Sequence, residues 1–285
     1  MDFNSWNTLW ELCFGLLALL IVAGNSVTIW IFLKQKFRKR AHFLLISLAV
    51  ADLLVGLLSI PLYIVVNLDT SALSRASRYV DIFTGLTSVF TLAAISLERM
   101  YAVAWPVRHR TLLLRAYKLA IVTPWILAAT VAFIRALFDN GLIAPTGFQV
   151  VISVSLVAPT LVICSAYCVI WWKRRKRMDN RNQQIQRETK LAKALFLITG
   201  TSLLTWLPFE IVNMWPFLVV RIHPFGILCI IKLLQYSNSL VNVIIYPFRI
   251  SEFKGALLRM IPGFVTAFSR KTNRRNTKEL NETAI

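Results

Sequence analysis

From Leu12 to Leu33 the chain carries no charged residue and no alternation of apolar and polar positions. As a helix this run is about 33 Å long, enough to cross a hydrocarbon core of roughly 30 Å. Comparable runs recur, each ended by charged or turn residues, and predict spans at about 9–33, 43–68, 77–103, 116–138, 147–172, 189–220 and 225–248. A soluble domain shows amphipathic periods instead of such runs. The pattern predicts an all-α membrane protein, a seven-transmembrane helix bundle over residues 1–262. A short amphipathic cytoplasmic helix closes it at about 249–261, and a basic tail follows at 263–285. No basic residue precedes the first span, which is longer than the apolar region of a cleaved leader, so it is expected to be a retained anchor.

Charge adds orientation. The net charge is +19, which in a soluble protein would suggest nucleic acid. Here segments 34–40, 108–118, 173–193 and 249–278, with Arg99, hold 27 of the 32 Lys and Arg, leaving Arg75, Arg78, Arg135, Arg221 and Lys232 on the other side. The positive-inside rule then puts the C-terminus in the cytoplasm and the N-terminus outside, as in a multi-pass plasma-membrane protein. The tract "KRRKR" after "WW" reads as an aromatic belt followed by a lipid-headgroup anchor, and no nucleic-acid partner is expected. Cys13, Cys164, Cys168 and Cys229 all fall inside apolar spans, so no outer disulfide is expected.

Ionisable groups at bilayer depth are expensive and usually functional. Asp52, Asp81, Glu210 and Lys232 lie well inside the spans, with Glu98, Arg99 and Glu188 at the inner rim. Asp81 precedes Arg99 by 18 residues, about 27 Å of helix, and so lies near the outer mouth. Asp81, Gly85, Ser88, Leu92, Ile95 and Arg99 recur at three- and four-residue spacing. They form one stripe that must face the bundle interior.

"GNSV" (24–27), "LAVADLL" (48–54), "LERMYAV" (97–103), "WLPF" (206–209) and "NVIIY" (242–246) occur in order, each in its own span. Together they resemble the signatures of rhodopsin-like (class A) G-protein-coupled receptors, over roughly residues 10–262. The resemblance implies a non-enzymatic receptor that passes an extracellular small-molecule signal to heterotrimeric G proteins. It implies that Asn25 and Asp52 join the first two helices and that Trp125 is the fourth-helix tryptophan. Glu98 and Arg99 match the acidic–arginine pair, with Glu188 as the acid of an inter-helix latch. The remaining activation positions would be Trp206, Pro208, Tyr167, Asn242 and Tyr246, with Pro159 kinking the fifth helix. The alternative for Arg99 is a rim charge that reaches for the headgroups and switches nothing.

The resemblance also implies a sodium pocket at Asp52, Ser88, Asn238, Ser239 and Trp206. A buried carboxylate must be neutralised or matched by a cation, and a cluster of oxygen donors suits a hard one. A protonated Asp52 in a hydrogen-bond network is the alternative, and no other cofactor is expected. In the outer pocket Asp81, Phe209 and Tyr236 are similar to the ammonium site of the aminergic group. A carboxylate flanked by aromatic faces is a sound amine site. Ser155 is the one hydroxyl of the fifth helix left to face a ligand, since Val151 and Ile152 stand where catechol-type receptors have serines.

Departures keep the ligand open. Glu210 replaces an aromatic, and Lys232 lies one turn outside Tyr236, within reach of Asp81 or Glu210. The pocket therefore suits a cationic amine, or a zwitterion or peptide whose ends meet opposite charges, or holds only an internal salt bridge. An opsin would need its Schiff-base lysine at Tyr236. Ser74 stands where most family members have a disulfide cysteine, Val243 replaces a proline, Met100 an aromatic and Ser202 a phenylalanine. A transporter would show broken midplane helices in paired repeats, and no such pairing occurs. "FRISEFKGALLRMI" (248–261) reads as a helix lying on the inner leaflet. Thr283–Ile285 fits strand addition to a PDZ groove.

Overall fold

The computed structural model describes residues 5–34, 41–68, 73–176, 200–201, 204–209, 211–212, 224–249, 253–255 and 257. Within these, α1 spans Thr8–Lys34, α2 Ala41–Leu54, α3 Ile60–Leu68, α4 Ser74–Ala104, α5 Pro106–Arg110, α6 Leu114–Asp139, α7 Pro145–Lys176 and α8 Phe225–Arg249. The described residues contain no strand. Six helices among them are long and apolar enough to cross a membrane, α2 and α3 counting as one, His42–Leu68. The span expected at 189–220 lies mostly outside the described residues, although 204–209 are helical.

In α1, Phe14, Ala18, Ile21, Asn25 and Thr28 are buried at helical spacing, while Leu12, Leu16, Leu19 and Leu20 on the other face are exposed. A soluble helix would be polar there, and an exposed leucine face belongs against lipid.

The central helix is α4, which packs against α2, α6 and α7. Its buried face is built from small residues, including Thr84, Gly85, Thr87, Ser88, Thr91, Ala93 and Ser96. Small side chains let helix backbones approach closely, and in hydrocarbon their hydroxyls need partners. Thr87, Thr91 and Ser96 donate to carbonyls four residues back, at 2.6, 2.7 and 2.9 Å. This is the back-bonding that satisfies a mid-helix hydroxyl.

Between α2 and α3 the helix widens at Val55–Ser59, where the Ile60 N–H reaches back five residues to the Val55 carbonyl. Pro61 follows and has no N–H to continue the ladder. The bulge turns Ser59 inward, where its hydroxyl pairs with that of Thr84 at 2.7 Å. Pro124 and Pro159 lie inside α6 and α7 without ending them. The connection between α6 and α7 is shorter than the expected spans 116–138 and 147–172 leave, because α6 runs to Asp139 and α7 already begins at Pro145. Phe253, the described aromatic of the expected surface helix, is buried against Phe32 at 5.5 Å.

Candidate functional site

Side chains from α2, α4, α5, α6 and α8 form three polar stations along α4. At the outer station Lys232 of α8 donates to the Asp81 carboxylate of α4 at 2.5 Å and to Gln235 Oε1 at 2.8 Å. Its ammonium lies over three rings, those of Phe209 at 4.7 Å, Tyr236 at 5.0 Å and Tyr63 at 5.9 Å. Lys232 and Asp81 side chains are 14% and 17% exposed, so the pair is largely withdrawn from water. The cage that the sequence assigned to a ligand's ammonium therefore holds an ammonium of the protein itself. Tyr236 is buried. The Ser155 hydroxyl donates to the Val151 carbonyl at 2.8 Å.

The middle station centres on Asp52, fully buried on α2. Ser88 donates to its Oδ1 at 2.8 Å and Asn242 to its Oδ2 at 2.7 Å. Asn25 binds the Ser239 carbonyl at 3.2 Å and thereby fastens α1 to α8. Asn238 and Ser239 are buried beside this network. The Asn25, Asn238 and Asn242 Oδ1 atoms are buried acceptors without a partner among the described residues. Buried acceptors of this kind call for a donor or a cation. Buried oxygen atoms near a carboxylate are the ligand type that a hard cation such as Na⁺ would take.

Trp206 lies between these two stations, buried, with its ring edge-on to Phe209 at 5.7 Å. A methyl group built on Gly85 would sit 3.0 Å from the Trp206 ring. Glycine there lets the indole press against α4.

At the inner station Glu98 and Arg99 pair through two contacts, Nε to Oε2 and Nη2 to Oε1, the latter 2.6 Å. Their side chains are 8% and 5% exposed. Glu98 Oε1 also meets His109 Nε2 at 2.7 Å and the Tyr117 hydroxyl at 3.2 Å, and these two meet each other at 2.9 Å. Sequence reasoning missed both. His109 lies on α5 and Tyr117 on α6, 11 and 19 residues from Glu98, with a turn between them that breaks any helical period. Tyr167 is buried in the core around Leu92 and Ile95, and the Trp125 indole donates to Ser47 at 3.0 Å.

Glu188, Ser202, Glu210 and Thr283–Ile285 lie outside the described residues, and Tyr246 lies on α8.

All four cysteines are unpaired. At the outer end, where Ser74 replaces the disulfide cysteine, Asp139 of α6 holds Arg78 of α4 at 3.6 Å and Arg135 at 3.1 Å. Arg135 lies over the stacked rings of Phe138 and Phe148, which clasp α6 to α7. Charge and stacking thus fasten three helix ends that lack a covalent tie.

A bundle of apolar helices around one polar seam, charged at both ends, defines a helical membrane receptor. The family model described as 7 transmembrane receptor (rhodopsin family) matches residues 24–246, and the chain belongs to that family. Similar proteins include adenosine receptor A2a of Homo sapiens, 24% identical over 294 residues, 87% of this chain and 71% of the relative. Adenosine receptor A3 of Ovis aries is 26% identical over 299 residues, 94% of each chain.

Proposed function

We propose that this chain is a plasma-membrane receptor that activates heterotrimeric G proteins in response to an extracellular small molecule carrying both a cationic and an anionic group. Its N-terminus is outside and its C-terminus inside, in keeping with the basic segments at 34–40, 108–118 and 249–278. The observation that carries the ligand class is the Asp81–Lys232 pair inside its aromatic cage. A zwitterion exchanges one ion pair for two, its ammonium on Asp81 and its acid on Lys232. A simple amine must expel Lys232 and leave that ammonium unpaired, which is costly in a low-dielectric site. Rearranging the pair shifts Trp206 and Phe209, and the seam carries the change to Arg99 as a shift in population between closed and open forms.

A cationic amine is the second reading, favoured by the three rings that already surround an ammonium position. We further propose a sodium ion on Asp52, Ser88, Asn238 and Ser239. Such an ion would neutralise the buried carboxylate and stabilise the form in which the helices around it stay close. Glu188 serves in this account as the latch acid for Arg99, and Thr283–Ile285 as a PDZ ligand.

The test is a second-messenger screen of amino acids, monoamines and adenosine against the wild type, Asp81→Asn and Lys232→Met. A zwitterion response lost in both variants supports the proposal. A monoamine response unchanged in Lys232→Met overturns the ligand class, and a purine response that survives both variants removes the pair as the anchor.

A further inference from the structure

An open cavity of about 660 Å³ runs along the outside of the bundle between α4, α6 and α7. Its walls are mostly apolar, with Ala93, Leu97, Ala120, Pro124 and Pro159 along its length and Tyr101, Leu112 and Ala116 at the end nearest α5; Glu98, already held by Arg99 and His109, also lines it. A second cavity of about 450 Å³ continues from it, sharing Tyr101, Leu112, Ala116 and Leu119. The walls of this one add Arg108, Thr111 and Arg115. Arg108 and Arg115 are exposed, and neither is paired with an acid among the described residues. The apolar part therefore opens at one end into a basic mouth.

Depth follows from two independent features. Ala116 and Leu127, both on the cavity wall, are 11 residues apart on α6, about 16 Å of helix and so about one leaflet. Beside the mouth, Lys173 lies over the rings of Trp172 at 5.3 Å and Trp105 at 6.0 Å, and Trp105 packs on Tyr101 at 5.7 Å. Such aromatic and basic clusters sit at the headgroup level of a bilayer. The mouth thus lies among headgroups and the apolar cavity among acyl chains of the same leaflet.

We propose that these joined cavities bind one anionic glycerophospholipid of the cytoplasmic leaflet. Its phosphate and acidic headgroup lie between Arg108 and Arg115, and one acyl chain lies against Ala116, Ala120 and Pro124. Assignment to the cytoplasmic leaflet rests on the orientation proposed above. That leaflet carries the anionic lipids, and each nearby basic residue adds to their attraction. Neutral lipid fills the apolar cavity equally well but leaves two guanidinium groups without a counter-charge. Because His109 on the same short helix holds Glu98, the lipid fixes the helix that clamps the Glu98–Arg99 pair.

The test is native mass spectrometry of the purified full-length receptor in micelles holding equal amounts of phosphatidylserine and phosphatidylcholine. Wild type is expected to retain phosphatidylserine about thirtyfold over phosphatidylcholine, as two basic contacts at about 1 kcal/mol each predict. Arg108→Gln with Arg115→Gln, both at exposed positions, should bring the ratio near unity. Ala116→Trp, on the rim shared by both cavities, should displace the retained phosphatidylserine. A wild-type ratio near unity overturns the proposal. So does an equal fall caused by Arg75→Gln, at the opposite end of α4, which would show attraction to overall charge alone. The readout needs neither agonist nor G protein, so its failure is separable from failure of the signalling proposal.

Discussion

Removing the ammonium of Lys232 is the sharpest perturbation the outer station offers. Lys232→Met keeps the length of the side chain and leaves the Asp81 carboxylate facing Tyr63, Phe209 and Tyr236 without its 2.5 Å partner. Breaking a buried pair by deleting one partner costs about 3–5 kcal/mol, and with side chains 14% and 17% exposed the lower end applies. At roughly 2–4 °C per kcal/mol for a domain of comparable size, that is a fall in Tm on the order of 10 °C. Asp81→Asn should cost a similar amount, because it strands the ammonium instead. The double variant removes both charges and should recover at least half of either loss, a coupling well above the few tenths of a kcal/mol seen for independent sites. Thermal unfolding in detergent checks this by the fluorescence of a thiol-reactive dye at Cys229, which is buried in the fold, with Cys13, Cys164 and Cys168 replaced by serine. A small alkylammonium added to Lys232→Met should restore part of the lost Tm by filling the vacated cage. Strict additivity of the two single variants would refute the reasoning, as would single shifts too small to measure.

The other two stations each give a further outcome, and the contact of α1 and α8 gives a third. Asp52→Asn removes the carboxylate that Ser88 and Asn242 hold and should abolish any dependence of Tm on sodium. A sodium effect of wild-type size in that variant would exclude Asp52 as the ligand. His109→Ala deletes one of three donors on Glu98 Oε1. Basal nucleotide exchange on reconstituted G protein should rise by about tenfold, consistent with the lower end of about 1.5–3 kcal/mol for a lost bond to a charged group, and unchanged exchange would count against the clamp. Gly24→Ala would put a methyl group 2.6 Å from Val243 Cγ1. It should destabilise the receptor by about 1–3 kcal/mol through overpacking, with recovery by Val243→Ala, and a full-strength loss that persists in that double variant would contradict the contact.

The pair Gly24–Val243 also illustrates what was readable in advance. Val243 registered only as a missing proline. The structure gives it a place, because its branched side chain packs into the space that Gly24 leaves at the contact of α1 and α8. Six spans were legible among the described residues because length and apolarity suffice when lipid is the solvent. Asp52 and Ser88 were legible as a cluster only through the family resemblance, which put Asn242 among the activation positions; packing joins it to the Asp52 carboxylate. Lys232 was not legible. Its four-carbon stem reaches either Asp81 or Glu210, and only the packed arrangement of α4 and α8 shows it on Asp81. His109 and Tyr117 converge on Glu98 through the turn after α4, where no period links sequence distance to space. The widened turn at Val55–Ser59 left no mark except Pro61 beyond it.

The central claim is that the receptor's own lysine occupies the ammonium cage. Selective carbon-13 labelling of lysine, read by NMR on the purified unliganded receptor, tests it directly. Three rings within 4.7 to 5.9 Å of the Lys232 nitrogen should move its ε-methylene signal away from the bulk lysine resonance. One such ring-shifted signal is expected, absent in Lys232→Met and displaced in Asp81→Asn. A spectrum in which Lys232 resonates with the solvent-exposed lysines, unmoved by Asp81→Asn, would contradict the claim.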